Sequence, residues 1–501
     1  MSLSGWREET SFRQYTTENL GMNAKEQNSG TRIDNRSHKV SRRALLGGVA
    51  AGVAFSVVPR HVLGGQGHTA PSDKISLGLI GLGGQGHVNL FNFLQMEDVQ
   101  VTSVCDVNRE GPGYISWDWM EGKERKLGGR EPARRLVNKH YAEQRGQRTF
   151  RGCTAYADYR ELLEREAVDA VMVATPDHTH AVIVMAALKK GKHVYCEKPL
   201  AYTVHEARAL TEAARRAKVA TQLGNQGQAS EEARLTQEII LDGAIGAVRE
   251  VHVNRGACFW DPPAWGGNRP PDQPPVPEGL DWDRWLGPAP VRPYHPAYHP
   301  WRWRDWWDFG TGPLGDMGCH ILSTVFKALQ LRHPDRVVAE CAETGPEVYP
   351  RRFRVTYAFP ARDGMPPLTL VWHDEGYDPP RPEGLEPGRP LTSPIYVGDE
   401  GTMMDYLLIP ESRRKAYGKP PRVLPRSPGQ YREWIDACRG GTPAGSDFVN
   451  HSGLLTETAM LGNIALRTGK VLDWDGPNLK ITNDESANRF LHRDYRDGWT
   501  L

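Results

Sequence analysis

The chain has 501 residues, with 62 Lys+Arg against 61 Asp+Glu and a formal net charge of +1. That balance excludes the basic excess of a nucleic-acid or anionic-membrane binder, and 39% hydrophobic with 25% charged residues excludes a disordered chain. At roughly 150 residues per domain, the length predicts two or three domains.

Residues 1–40 are polar, lack an apolar period and are expected to be disordered. Ser41-Arg42-Arg43-Ala44-Leu45-Leu46 then opens an apolar run of 15 residues that contains Gly47, Gly48 and Gly52 and stops at Pro59-Arg60. A spanning helix needs about 20 mostly apolar residues, so the run reads as the apolar part of a signal, and the arginine pair resembles a Tat export signal. Residues 1–70 are therefore expected to be leader and signal, with Met1 or Met22 as the start. The working protein is expected in the periplasm, without a stable membrane span. The seven cysteines form no CxxC pair and are odd in number, which indicates packing rather than zinc or a disulfide framework.

Ile75–Ile80 reads as a buried strand that runs into Gly81-Leu82-Gly83-Gly84-Gln85-Gly86. This GxGxxG allows a tight turn, close approach of a pyrophosphate and a helix start whose free N–H groups favour phosphate. A second strand, Val99–Cys105, ends at Asp106, 20 residues beyond Gly86. An acid there binds a ribose 2′-hydroxyl and repels a 2′-phosphate, which favours NAD over NADP; a structural aspartate at a strand end is the other reading. Residues 111–150 carry nine Lys/Arg and five Asp/Glu and predict a solvated helical insertion without chemistry. Alternation then resumes with helix Tyr159–Glu166, strand Val168–Ala174, loop Thr175–His180, helix Ala181–Lys190 and strand His193–Cys196. Strands alternating with helices imply a doubly wound parallel sheet, with its ligand at the carboxyl ends of the strands. The glycine turn, Asp106–Arg109, Thr175–His180 and Glu197-Lys198-Pro199 all fall at such ends.

The glycine turn, Ala174-Thr175-Pro176-Asp177-His178-Thr179-His180, Cys196-Glu197-Lys198-Pro199-Leu200 and Gly315-Asp316-Met317-Gly318-Cys319-His320 together resemble the Gfo/Idh/MocA family, which includes glucose–fructose oxidoreductase and inositol dehydrogenase. The resemblance spans about residues 74–475. It implies an N-terminal Rossmann domain over 74–200 and an α+β domain over 201–480 with an open-faced, mostly antiparallel sheet, followed by a tail over 481–501. It also implies Lys198, Asp316 and His320 as the catalytic set, and Thr175, Pro176, His180 and Glu197 as nucleotide-lining residues beside Gly81, Gly83, Gly84, Gln85, Gly86, Asp106 and Lys198. A dimer or tetramer built on the open sheet face belongs to the same implication.

The residue chemistry supports those roles. Pro199 holds Lys198 extended beyond its strand, where the ammonium can polarise a substrate oxygen. Asp316 and His320 are four apart and share a face if both lie on one helix. A neutral His320 can then take a hydroxyl proton, with Asp316 in support.

Asn225, or Gln226 beside it, follows the strand Ala220–Leu223; it contacts cofactor or substrate, or simply forms a turn. Residues 260–307 hold eight of the 15 tryptophans, and 262–300 hold 12 of the 38 prolines. Trp303 and Trp306, with the charged residues between them, suit a sugar's C–H patches and hydroxyls; loop packing and an oligomer contact stand as equal alternatives. No ligand spacing for a metal is present. Farther on, Phe353–Phe359 and Leu368–His373 read as strands, Trp434–Cys438 and Leu454–Arg467 as helices.

The expectation is an NAD-dependent oxidoreductase acting on a secondary hydroxyl of a sugar, glycoside or cyclitol. The alternatives are a glycoside-cleaving enzyme that oxidises the sugar transiently, and a non-catalytic sugar-binding protein of the same fold.

Overall fold

The structure is a computed structural model and describes residues 73–115, 125–254, 267–341 and 345–501. The expected leader and signal, residues 1–70, lie outside the described residues. No helix among the described residues is long and apolar enough to cross a membrane.

The first half builds strands β1 (Ile75–Ile80), β2 (Val99–Cys105), the hairpin β3 (Gly111–Ile115) and β4 (Arg125–Gly128), then β5 (Thr154–Tyr156), β6 (Ala170–Val173), β7 (His193–Glu197) and β8 (Thr221–Gly224). All but the hairpin join one parallel sheet in the order β5-β2-β1-β6-β7-β8. The order reverses between β1 and β6, and ligands of such sheets bind at that reversal. Both faces are covered, so the strands are nearly continuous apolar runs. Leu77, Leu79, Met172 and Tyr195 face the helices Gly84–Leu94, Arg130–Gln144 and Gln430–Cys438, packing on Phe93, Val137 and Trp434. Val171, Val173, Val194 and Cys196 face the opposite way, onto Val182, Ile183 and Leu210.

One expectation is corrected here. Residues 111–150 are not a helical insertion. The helix Arg130–Gln144 buries Ala133, Val137 and Tyr141 in the core and is the ordinary crossover between β2 and β5. The added piece is the hairpin before it. Its charge density hid a helix whose apolar face is only one residue in three or four.

The second sheet consists of β9 (Val248–Asn254), β10 (Arg336–Cys341), β11 (Phe353–Phe359), β12 (Leu368–His373), β13 (Ile395–Gly398), β14 (Thr402–Met404), β15 (Leu407–Ile409), β16 (Leu472–Asp475) and β17 (Lys480–Ile481), in the order β15-β14-β13-β9-β12-β11-β10-β16-β17. Every pair is antiparallel except β9 with β12. Period-2 alternation sets its faces: Val251, Val253, Val355, Tyr357, Leu370 and Trp372 enter the core shared with the Rossmann helices, while Arg354, Thr356 and Thr369 face away. Helices Gly318–Ala328 and Gly453–Thr468 fill the space between the sheets with Leu322, Val325 and Leu461. The expected α/β architecture, a Rossmann sheet with an α+β partner, is the one observed.

Residues 481–501 return to the body. Leu491 is buried, Arg493 bonds Glu206 at 2.8 Å and the carbonyl oxygen of His178, and Trp499 packs against the core. Six described cysteines are free, four of them buried, in keeping with a packing role; Cys258 lies outside the described residues.

Candidate active site

The glycine turn is shaped by contacts that tolerate no side chain. Gly81 has φ +89°, and a Cβ there would stand 2.6 Å from the Ala174 carbonyl; a Cβ on Gly86 would stand 2.0 Å from the Gly81 oxygen. The helix Gly84–Leu94 begins at Gly83 without a side-chain cap, so its first N–H groups remain available to an anion. Asp106 sits beside the turn, its Oδ2 accepting from Leu82 N at 2.6 Å and its Oδ1 from Asn108 N at 2.8 Å. Burial pushes its carboxyl up against those bonds. Gln85 points along the helix to Asn89, Nε2 to Oδ1 at 3.0 Å.

Across the reversal, His180 ties two loops together, with Nδ1 at 2.6 Å from the Pro199 oxygen and Nε2 at 2.7 Å from the Thr175 oxygen. Burial lowers its pKa. Both ring nitrogens are thus engaged by backbone carbonyls of the two loops. Pro176 caps the helix Asp177–Lys189, and Thr175 Oγ1 accepts from Thr179 Oγ1 at 2.8 Å. The stretch 177–180, expected as loop, is thus the first turn of a helix. Glu197 is buried and accepts from Asn89 Nδ2 at 3.0 Å, and Gly224 lacks a side chain where that carboxyl sits. It holds β7 in place.

Lys198 projects from the end of β7 to Asp316, Nζ to Oδ1 at 2.6 Å. Arg304 approaches the same oxygen through Nε at 3.4 Å and stacks on Trp301 and Trp303, its guanidinium carbon 4.0 and 4.1 Å from their ring centres. Burial pushes the Asp316 carboxyl up, but the Lys198 and Arg304 charges outweigh it and hold it at about 2. Burial, then the Lys198 charge, drives His320 down to about 3 against the pull of Asp316, so its imidazole is neutral. The expected single helix is broken: Gly312–Asp316 ends, and Gly318–Ala328 begins, around Met317. The two residues still act on each other electrostatically, because the break falls between adjacent helices rather than in a loop.

Reasoning from sequence missed two neighbours. Arg304 was visible only as a charge among tryptophans. Asp177 accepts from Thr311 N at 3.0 Å and from Thr311 Oγ1 at 2.5 Å, and Asn463 Nδ2 bonds the Thr311 oxygen at 2.8 Å; together they anchor the start of the segment that carries Asp316. Burial pushes Asp177 up to about 7 against the Thr311 bonds. Its native pKa exceeds the unfolded one, so the stability it contributes is complete below about pH 4 and is lost as pH rises through about 7. Asp177→Asn keeps an acceptor oxygen without the charge. It is expected to remove that decline, which urea unfolding at about pH 5 and about pH 8 measures; an unchanged difference between the two would contradict it.

Asn225 is fully buried; its Nδ2 donates to Cys319 O at 3.2 Å, and its Oδ1 has no partner. Trp306, 1% exposed, and Trp303, 6% exposed, lie in a satellite core with Trp285, Tyr298, Phe309 and Val107. Trp306 is therefore packed, not displayed to a sugar; Trp303 presents Arg304 instead. No cluster of metal-ligating side chains occurs among the described residues.

A glycine turn that admits no side chain at Gly81 or Gly86, an uncapped helix start, an acid at the end of β2 and an orphaned buried oxygen near the β8 end suit a dinucleotide. The family described as "Oxidoreductase family, NAD-binding Rossmann fold" matches residues 130–225, and its "C-terminal alpha/beta domain" matches 230–365. The chain belongs to the Gfo/Idh/MocA oxidoreductase family. The Rossmann match begins directly after the hairpin, which separates the glycine turn of this Gfo/Idh/MocA chain from the rest of the domain. A "Glycosyl hydrolase family 109 protein" of Solibacter usitatus is 29% identical over 176 residues, covering 34% of this chain and 35% of that protein. A "Levoglucosan dehydrogenase" of Pseudarthrobacter phenanthrenivorans is 34% identical over 92 residues, covering 18% and 24%. The chain thus spans about a third or less of the length of these curated relatives. The WlbA dehydrogenase of Bordetella pertussis, solved with NADH and UDP-GlcNAcA, shares the fold with a TM-score of 0.51 at 16% identity, over 80% of this chain and 99% of that one.

Proposed function

We propose that this chain is an NAD-dependent oxidoreductase acting on a secondary hydroxyl of a sugar, glycoside or cyclitol. The observation that carries the reading is the Lys198–Asp316 pair at 2.6 Å beside a neutral His320, at the carboxyl end of β7. Bound NAD supplies the hydride acceptor or donor. Gly81–Gly86 and Asp106 would hold that group, and Lys198 stands at the end of β7 in the same sheet. His320 takes the hydroxyl proton as the carbinol is oxidised, and Lys198 donates to the same oxygen and stabilises its developing charge. Asp316 fixes the ammonium and is itself held by Arg304. Incubating the protein with NAD and a panel of glycosides, sugars and cyclitols is expected to give reduced-nicotinamide absorbance together with an oxidised product. No redox change and no product with any compound would reject the reading.

Relatives named as glycosyl hydrolase family 109 proteins favour a second reading, cleavage of a glycoside through transient oxidation. The same residues serve it, and a cleaved glycoside without net change in the dinucleotide would select it.

Arg42-Arg43 ahead of a short apolar run supports export of the folded protein by the Tat route. The periplasm offers little free dinucleotide, so NAD would be loaded before export and retained through turnover, and re-oxidised in place. An Arg42→Lys/Arg43→Lys variant is expected to stay in the cytoplasm; equal periplasmic yield would count against export.

A further inference from the structure

Glu206 is a buried acid in the capping box of the helix Val204–Ala217. Its Oε2 accepts from Tyr202 N at 2.9 Å and from Thr203 N at 3.1 Å, which closes the loop that begins at Lys198. Its Oε1 is left to the C-terminal tail: Arg493 Nε donates to it at 2.8 Å and the Tyr495 hydroxyl at 2.6 Å. The Arg493 and Glu206 side chains are 12% and 2% exposed, and the guanidinium carbon stands 4.6 Å from the centre of the Tyr202 ring. The cap itself does not call for the arginine, because Thr203 Oγ1 accepts from Glu206 N at 3.1 Å and completes the box without it.

The other end of the same guanidinium reaches a different support. Arg493 Nη2 donates to the His178 carbonyl oxygen, in the first turn of the helix Asp177–Lys189. That turn holds the stretch leading to Asp316: Asp177 accepts from Thr311 N at 3.0 Å, and His178 N donates to the Phe309 oxygen at 3.1 Å. The His178 ring lies between two more carbonyls of the aromatic segment, Nδ1 3.2 Å from the Phe309 oxygen and Nε2 2.9 Å from the Trp285 oxygen. Lys198 and Asp316 come from separate stretches of chain, and one side chain from a third stretch bonds the supports of both.

We infer that Arg493 is a positioning residue for catalysis: by bonding Glu206 and His178 at once, it sets the spacing between the loop that carries Lys198 and the segment that carries Asp316. This rests on the oxidoreductase reading above and adds to it a residue of the C-terminal tail that acts only through those two supports. A guanidinium suits the task because its Nε and Nη2 donate in fixed directions, whereas an ammonium is a single point.

The test is Arg493→Lys in the full-length protein, which keeps a positive charge beside Glu206 and loses the second reach to His178. With NAD affinity near parental, kcat is expected to fall at least about fivefold, since small misplacements of reacting groups are that costly. The acid limb of kcat should move to higher pH, because the Lys198 charge that helps depress His320 then stands farther off. Backbone amide exchange at Tyr202 and Thr203 should quicken in the same variant, whether or not the protein turns over. Trp499→Ala loosens the tail where it packs on Tyr159 and Arg160 and is the comparison for lost stability alone. It should lower the thermal midpoint, keep kcat within twofold and leave the acid limb in place. A smaller fall in Arg493→Lys, a fall without movement of the acid limb or one that tracks lost NAD binding, or the same fall in Trp499→Ala, would overturn the positioning role. A parent without turnover on any compound would overturn the oxidoreductase reading and the catalytic role with it, even where exchange quickens.

Discussion

Lys198→Ala is expected to lower kcat by about 10²–10³-fold while the protein still folds and still holds NAD, because a single donor aimed at developing oxyanion charge carries that much in a water-poor site. Lys198 reaches Asp316 at 2.6 Å, and its side chain is only 15% exposed. Removing it also changes the groups that remain. The Lys198 charge helps hold Asp316 at about 2 and His320 at about 3, so both pKa values rise in the variant. His320 acts as a base only in its neutral form, and the parent should therefore keep its rate of oxidation on acidification until well below the ordinary histidine range near 6.5. In the variant the residual rate should fall at a higher pH. A pH series of kcat/KM for both proteins, with bound nicotinamide measured alongside, checks each part. Parental turnover in Lys198→Ala would remove the lysine from the mechanism and reopen the non-catalytic reading.

Trp306→Ala is expected to destabilise the protein by about 3–5 kcal/mol, the cost of emptying a large aromatic site in a packed core. Trp306 is 1% exposed, donates its indole N–H to the Ala297 oxygen at 2.8 Å, and meets Tyr298 edge-on at 4.8 Å. The loss should appear in the denaturation midpoint. A rise in KM for sugar with parental stability would return Trp306 to the substrate face. The same satellite core includes Phe309, beside the stretch that leads to Thr311 and Asp316, so loosening it should also lower kcat.

The Rossmann half was legible because its signals are local. Strands Ile75–Ile80 and Val99–Cys105 are short apolar runs closed by a glycine turn and an acid, and the backbone demands at Gly81 and Gly86 admit no other residue. Lys198 could be found because it follows a strand and precedes a proline. The helix Arg130–Gln144 was misread because charge on its solvent face outweighed a narrow apolar stripe. The Asp316–His320 helix was misread because the spacing of four fits a helix whether or not Met317 interrupts it.

Taken alone, the sequence determined the nucleotide fold and singled out Lys198, Asp316 and His320 as the candidate catalytic set, since those depend on residues close together in the chain or on motifs of set spacing. Only the tertiary structure decided that Arg304 shares Asp316 with Lys198, that Asp177 anchors Thr311, that Trp306 is core, and that Tyr114 joins His299. The polar pairs among them cross from 12 to 185 residues of chain, as from Arg304 to Asp316 and from Tyr114 to His299. No periodicity or spacing encodes such pairs. They exist because packing a second sheet and an aromatic segment against the strand ends of the first leaves these polar groups no water to bond, and only one another to satisfy.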